Sequence, residues 1–227
     1  MAADHQKDVV FNIRGDFIIM RQTGPSCRVC RREETKLFLK GERCLKAKCA
    51  IDRNRAIPGV HKKLKAKLSD YGVQLRSKQK IRKHYGIGER QFRKVFGAAS
   101  KKKGITSFML LILLEMRLDN VVYHIGFAPS RAQARQMVTH GHVRVNGRRV
   151  NIPSFTLKAG DVIELKLSER SSAMAAKNIE VTANINKIPD WISFDKDAKK
   201  AQIIRLPEQG EIQPPADEQL VVELYSK

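Results

Sequence analysis

The chain has 227 residues, with 44 Lys+Arg against 23 Asp+Glu, and a net charge of +21. At roughly 100–200 residues per domain this allows one domain or two small ones, and a hydrophobic fraction of 42% supplies a packed core and excludes wholesale disorder. The longest apolar run, from Phe108 to Leu114, falls far short of the ~20 residues of a membrane span.

The charge is concentrated. Residues 1–20 carry 2 basic and 3 acidic side chains, and residues 21–103 carry 26 basic and 6 acidic. Residues 104–178 carry 10 and 5, and residues 179–227 carry 6 and 9. A concentrated basic block is the footprint of a polyanion, because each phosphate it neutralises releases counterions. Nucleic acid is the commonest such partner. No basic amphipathic helix carries the Trp/Leu-rich face that inserts into a membrane surface.

The first 19 residues lack the basic start, apolar run and small-residue cleavage site of a signal peptide, and Asp4, Asp8 and Asp16 argue against a transit peptide. Met20 is a candidate start, which makes residues 1–19 either a short extension or a misplaced beginning. Residues 23–50 read as a basic, cysteine-containing loop, and Pro58-Gly59 marks a connector.

Ser69 is placed as the N-cap of a helix whose apolar positions are Tyr71, Leu75, Ile81 and Tyr85, with Gly86 as its terminator. Its other faces carry Arg76, Lys78, Lys80, Arg82 and Lys83. A second helix is predicted from Glu89 to Ala99, bearing Arg90 and Arg93. After the break at Lys101-Lys102-Lys103-Gly104, Thr106 is placed as the cap of a third helix ending near residues 114–117. A short helix is predicted from Asp119 to Gly126, and another from Ser130 to Gly141, where Ser130-Arg131-Ala132-Gln133 has capping-box spacing. Alternating residues around Asn146-Gly147 predict a hairpin with a type I′ turn, and residues 161–167 a further strand. Residues 168–177 read as a loop, and the chain from Ile179 on as short strands and turns.

Cys27-x2-Cys30 and Cys44-x4-Cys49 hold all four thiols of the chain. Two close pairs joined by a short loop are what a tetrahedral ion needs, so a structural Zn2+ is expected, with an iron–sulfur cluster on the same thiolates as the alternative. Two disulfides fit less well, since no secretory signal accompanies the cysteines. The neighbours Arg28, Arg31, Arg32, Arg43, Lys46 and Lys48 supply a positive field expected to favour thiolates. With four protein ligands the ion has no open position for catalysis.

Arg131 and Arg135 are four apart on one helix face, and His140, His142, Arg144, Asn146, Arg148 and Arg149 follow on the helix end and hairpin. Such a rigid basic unit grips phosphates at fixed spacing, which is how structured RNA is read by shape. There is no Gly-rich phosphate loop or serine elbow. Arg117-Leu118-Asp119 is similar to the string around the catalytic Asp of pseudouridine synthases, an RNA-modifying alternative. In those enzymes the string follows the RNA-binding module, whereas here it opens it. A binder of stalled or free ribosomal subunits is a further alternative that shares this module.

Longer strings carry a resemblance. Thr23-Gly24-Pro25, Cys27-Arg28-Val29-Cys30-Arg31-Arg32, Leu39-Lys40-Gly41-Glu42-Arg43-Cys44, Leu68-Ser69-Asp70-Tyr71-Gly72, Arg90-Gln91-Phe92-Arg93, Arg117-Leu118-Asp119-Asn120-Val121-Val122-Tyr123 and the stretch 140–153 are among them. From Met20 to Lys227 the chain resembles the bacterial-type small-subunit ribosomal protein number four family, in its four-cysteine form. The connector departs from the family's Gly-Gln-His-Gly and reads Ile57-Pro58-Gly59-Val60-His61.

The resemblance implies an α+β fold: a zinc-containing N-terminal arm, a helical domain and a small α/β RNA-binding module, with a C-terminal tail returning to the helical domain. The expected divisions are residues 1–19, 20–55, 56–115, 116–178 and 179–227. It implies a non-catalytic constituent of the cytoplasmic ribosome, not a stable homo-oligomer. That protein binds small-subunit rRNA at a 5′-domain junction early in assembly, touches neighbouring small-subunit proteins, and lies near the path by which mRNA enters, where it affects decoding accuracy. Arg28, Arg31, Arg32, Lys40, Arg43, Lys62, Lys63 and the basic residues of the helices and hairpin named above are the expected RNA contacts.

Overall fold

A computed structural model describes residues 9–11, 17–19, 24–59, 67–166, 169–183 and 188–226. The predicted contacts Lys62 and Lys63 lie outside the described residues. The chain opens on an antiparallel pair, β1 (Val9–Phe11) and β2 (Phe17–Ile19). Helix α1 (Ser26–Glu33) then carries Cys27 and Cys30, and a 3-10 turn at Gly41–Cys44 carries the third cysteine. This arm holds only a minor apolar cluster of Val29, Cys30 and Leu37.

The helical unit is α2 (Asp70–His84), α3 (Glu89–Ala99) and α4 (Thr106–Glu115). The Ser69 side chain accepts from the Gly72 N–H, so the predicted cap forms. Thr106 is not a cap: Ile105 occupies that position, and Thr106 is the first residue of α4. Ile81, Phe92, Leu110 and Leu114 are fully buried in one core here. α4 is apolar all round because it is covered on two sides: Leu110 and Leu114 face that core, while Ile112 and Met116 enter the next one.

The second core belongs to α5 (Leu118–Ile125), α6 (Arg131–Thr139) and a five-stranded antiparallel sheet in the order β4-β3-β5-β7-β6. Its strands are β3 (Val143–Val145), β4 (Arg148–Arg149), β5 (Val162–Leu165), β6 (Ile192–Asp195) and β7 (Lys200–Ile203). Val143 opposes Leu165 and Val145 opposes Ile163, which puts these apolar residues on the helix-covered face. Ser130 Oγ accepts from the Gln133 N–H and starts α6 as predicted. At the β3–β4 turn Asn146 and Gly147 both have positive φ, 50° and 77°, as a type I′ turn requires.

Two readings of the C-terminal third need correction. Residues up to 177, predicted as a loop, and residues from Ile179, predicted as strands and turns, together form helix α7 (Glu169–Ala183). Ala175, Ile179 and Thr182, at helical spacing, supply its inner face, and Thr182 Oγ1 donates to the Gly126 carbonyl at 2.9 Å. The close approach to the α5 terminus needs Gly126, where an added Cβ would lie 2.7 Å from Thr182 Oγ1. The chain also ends on a helix, α8 (Gln219–Ser226), rather than on strands and turns. α8 packs on α2 and α4, with Val221 in the helical core and Tyr225 against Phe92 and Phe96. Residues 192–203, by contrast, extend the sheet of the second unit.

Candidate nucleic-acid interface

The predicted basic residues fall into two groups. The first is at the surface: Arg28, Arg32, Lys40, Arg43, Arg90, Arg93, His140, Arg148 and Arg149 are exposed, and Lys80, His142 and Arg144 are half-buried. Arg28, Arg32 and Lys83 line one open groove of about 310 Å3 with Pro25, Val29 and Pro58. Arg148 and Arg149 protrude from the edge strand β4. His140 and His142 are neighbours, with ring centroids 6.1 Å apart. Burial, together with the charges of His140, Lys166 and Arg149, lowers the His142 pKa and favours the neutral ring.

The second group has its polar ends on protein partners. Glu33 has a fully buried side chain that receives Lys83 at 2.8 Å and Arg76 at 3.2 Å, which clamps the cysteine arm to α2. Lys78 is 8% exposed and lies on Glu89 at 2.6 Å, with Tyr225 beneath it. Arg82 leans on Gln79 and Glu89. Arg31 donates to the Ala56 carbonyl. Asn146 is a strut rather than a free contact, since Nδ2 donates to Asp161 and Oδ1 accepts from the Val162 N–H. Lys78 and Asn146 were predicted as RNA contacts, and the structure instead places their polar ends on protein partners. A helix face dense in Lys and Arg reads as solvated until the carboxylates packed against it are known.

Arg131 and Arg135 are held the same way. Arg131 Nε donates to Asn120 Oδ1 at 2.7 Å, and its guanidinium lies 4.4 Å from the Tyr123 ring centre. Arg135 reaches Asp119 Oδ2 at 3.2 Å, beside the Arg117 guanidinium that grips both Asp119 oxygens at 3.0 and 2.7 Å. The string that resembles a catalytic one is therefore a buried ion pair, with Asp119 4% exposed and Arg117 2%.

Behind this lies a second buried carboxylate. Glu115 accepts from Tyr85 Oη at 2.6 Å and from Asn120 Nδ2, and sits 2.8 Å from His124 Nε2. Burial would raise its pKa, but the charges of His124 and Arg131 and these hydrogen bonds outweigh it and hold Glu115 at about 2. A folded value below the ordinary 4.5 means stability present above that pH and lost as pH falls toward 2. The expected loss is about 3 kcal/mol. Glu115→Gln should flatten this acid limb in urea titrations carried out across that range, and an unchanged limb would refute the assignment. No periodicity points to this network; it exists only where α2, α4, α5 and α6 meet.

The four cysteines come together. Cys27, Cys30, Cys44 and Cys49 line one cavity of about 20 Å3 with Leu39, Ala50 and Ile51, and no disulfide links them. Among the described residues no group of three or more His, Cys, Asp or Glu is drawn in to metal-ligand closeness. For two of them the effect of nearby cations is outweighed. Burial, with the repulsion of the other cysteines, pushes the Cys30 and Cys44 thiols up. Four thiols are the kind of donors a divalent cation takes, and such an ion would remove that repulsion.

Two family models cover most of the chain. Ribosomal protein S4/S9 N-terminal domain matches residues 21–115, and S4 domain matches residues 116–163. The chain is 51% identical over 207 residues to small ribosomal subunit protein uS4 of Thermoanaerobacter sp. (strain X514), covering 91% of this chain and 99% of the relative. It is 55% identical over 208 residues to the uS4 of Geotalea uraniireducens, with the same coverage.

The chain belongs to the uS4 family.

The uS4 of Thermus thermophilus, 50% identical over 208 residues, spans the chain to the same extent. The S4-domain match ends inside β5, so α7 and the β6–β7 hairpin that complete the sheet lie beyond it. No helix of the described residues is long and apolar enough to cross a membrane.

Proposed function

We propose that this chain is a non-catalytic structural constituent of the small ribosomal subunit in the cytoplasm, and binds small-subunit rRNA at a multi-helix junction of the 5′ domain during assembly. Its membership of the uS4 family carries the reading. The exposed cations on the arm groove, on α3 and on the β3–β4 edge add the physical basis: two basic surfaces on units joined through α4. A rigid protein that holds RNA helices together lowers the entropic cost of later assembly steps. Contacts to neighbouring small-subunit proteins, and to mRNA where it enters, belong to the same proposal.

The affinity should fall steeply with salt, by a slope of about 0.7–0.9 per phosphate neutralised. Arg148→Ala with Arg149→Ala is the test, because both side chains are exposed on the edge strand. The pair should weaken binding to a 5′-domain transcript and reduce the salt slope by about 1.5. Unchanged affinity and slope would remove the hairpin from the interface.

The arm is proposed to hold one structural zinc through Cys27, Cys30, Cys44 and Cys49. A cavity of about 20 Å3 has room for a single ion and favours zinc over a four-iron cluster. When bound, the ion would supply charge neutralisation and a cross-link, and Arg28, Arg32 and Arg43 would be presented from the loops it ties.

A further inference from the structure

A second cavity, of about 290 Å3, lies where the cysteine arm, the end of α2 and helix α6 meet. Its walls include Phe38 and Leu39 from the arm, His84 from α2, and Arg131 and Arg135 from α6. This is the lower limit of the ~300–1,000 Å3 of small-molecule sites, enough for one ring system and too small for a duplex. Three cations line it, Lys83, Arg131 and Arg135; Lys83 is shared with Glu33 and Arg135 with Asp119, but each of those carboxylates already holds a second cation, Arg76 and Arg117, so the wall keeps an excess of positive charge. The occupant is therefore anionic.

Phe38 says what else it is. Its φ is 50°, an uncommon conformation for an aromatic residue and one that persists where the surroundings over-determine it. The surroundings here are visible. Leu37 is fully buried beside it, and Gly41, at φ 58°, sits so close that an added Cβ would lie 2.3 Å from the Pro129 carbonyl oxygen. Anchored on both sides, the loop turns Phe38 outward, and the residue is left 38% exposed. His84 Nδ1 is buried among the lining residues and has no hydrogen-bond partner among the described residues. An outward ring, an unpaired polar atom and a cationic wall match the three parts of a nucleotide: a face to stack, an edge to bond and a phosphate.

We propose that this cavity takes a single unstacked RNA nucleotide, its base against Phe38 and its phosphate on the Lys83–Arg135 side. The proposal rests on the RNA-binding reading and deepens it, since it makes the seam between the two units a reading site for one base. The test uses the full chain and a 5′-domain transcript of bacterial small-subunit rRNA. Short-wave ultraviolet crosslinking followed by nuclease digestion and peptide mass spectrometry should find a nucleotide adduct on the peptide containing Phe38 or His84. Phe38→Leu, which keeps bulk but removes the ring, should weaken binding about tenfold, and Phe38→Trp should retain it. If wild-type protein binds while no adduct forms there and Phe38→Leu stays within about twofold, the nucleotide site is refuted and the RNA-binding reading stands. If wild-type protein fails to bind the transcript, both fall. The crosslink is read on unaltered protein, so it decides the matter even if a variant misfolds.

Discussion

Asp119→Ala is expected to cost about 3–5 kcal/mol of folding stability, the usual penalty for stranding a buried charge. The side chains of Arg117 and Asp119 are only 2% and 5% exposed, and one Arg117 nitrogen, Nη1, has no partner among the described residues. Without the carboxylate, the Arg117 guanidinium has no counter-charge and little access to water. Arg135 loses its acceptor as well. For a chain of this size the melting temperature should fall by roughly 10 °C. Replacing both partners, Arg117→Met with Asp119→Leu, should recover most of the loss, because neither charge is then buried alone. A thermal or urea titration reads both outcomes. A single variant within about 1 kcal/mol of wild type would show that the pair is not structural, and would revive a chemical role for Asp119.

Cys27→Ser with Cys30→Ser is expected to abolish metal binding and to unfold the arm locally. The arm has little else to hold it: its apolar cluster is Val29, Cys30 and Leu37, with Leu39 and Ile51 at the edge. Structural zinc contributes about 10–16 kcal/mol of apparent binding free energy in small peptides, far more than such a cluster can. Native mass spectrometry should find one zinc per wild-type chain and none in the variant. Hydrogen exchange should speed up around α1 and the Gly41–Cys44 turn while the helical core stays protected. Loss should stop near Glu33, where Arg76 and Lys83 tie the arm to α2. Full metal retention in the variant would overturn the four-ligand assignment. RNA affinity should drop with the arm, since Arg28, Arg32, Lys40 and Arg43 all sit on it.

These two residue sets differ in how far they were legible beforehand. The cysteine spacing announces a shared site, because ligand chemistry demands few residue types at short separations. The ion pair does not announce itself. Arg117 and Asp119 are two apart in the chain, and their meaning depends on burial by α6 and the 153–157 strand-like turn, where the Asp119 N–H donates to the Pro153 carbonyl. The same limit applies to Arg131, Arg135, Lys78 and Asn146. Residue type and local position place them on a basic surface, and only the packed neighbours show that their polar ends are shared with protein partners.

Local signals determined the most in this protein. Ser69 and Ser130 start their helices, Gly86 and Gly126 follow helix ends with positive φ, and Asn146-Gly147 turns the hairpin, because caps and turns are decided by neighbours within four residues. The basic block and the four thiols were equally plain. Tertiary structure alone decided that the sequence 169–183 is a helix held by Ala175 and Thr182, and that residues 192–203 complete the sheet. It also decided that the final residues form a helix on α2, and which of the basic residues stay exposed and which turn to protein partners. The physical reason is the same in each case: a short, small or polar segment has no strong preference of its own, and its state is set by the surface it covers and the charge it meets.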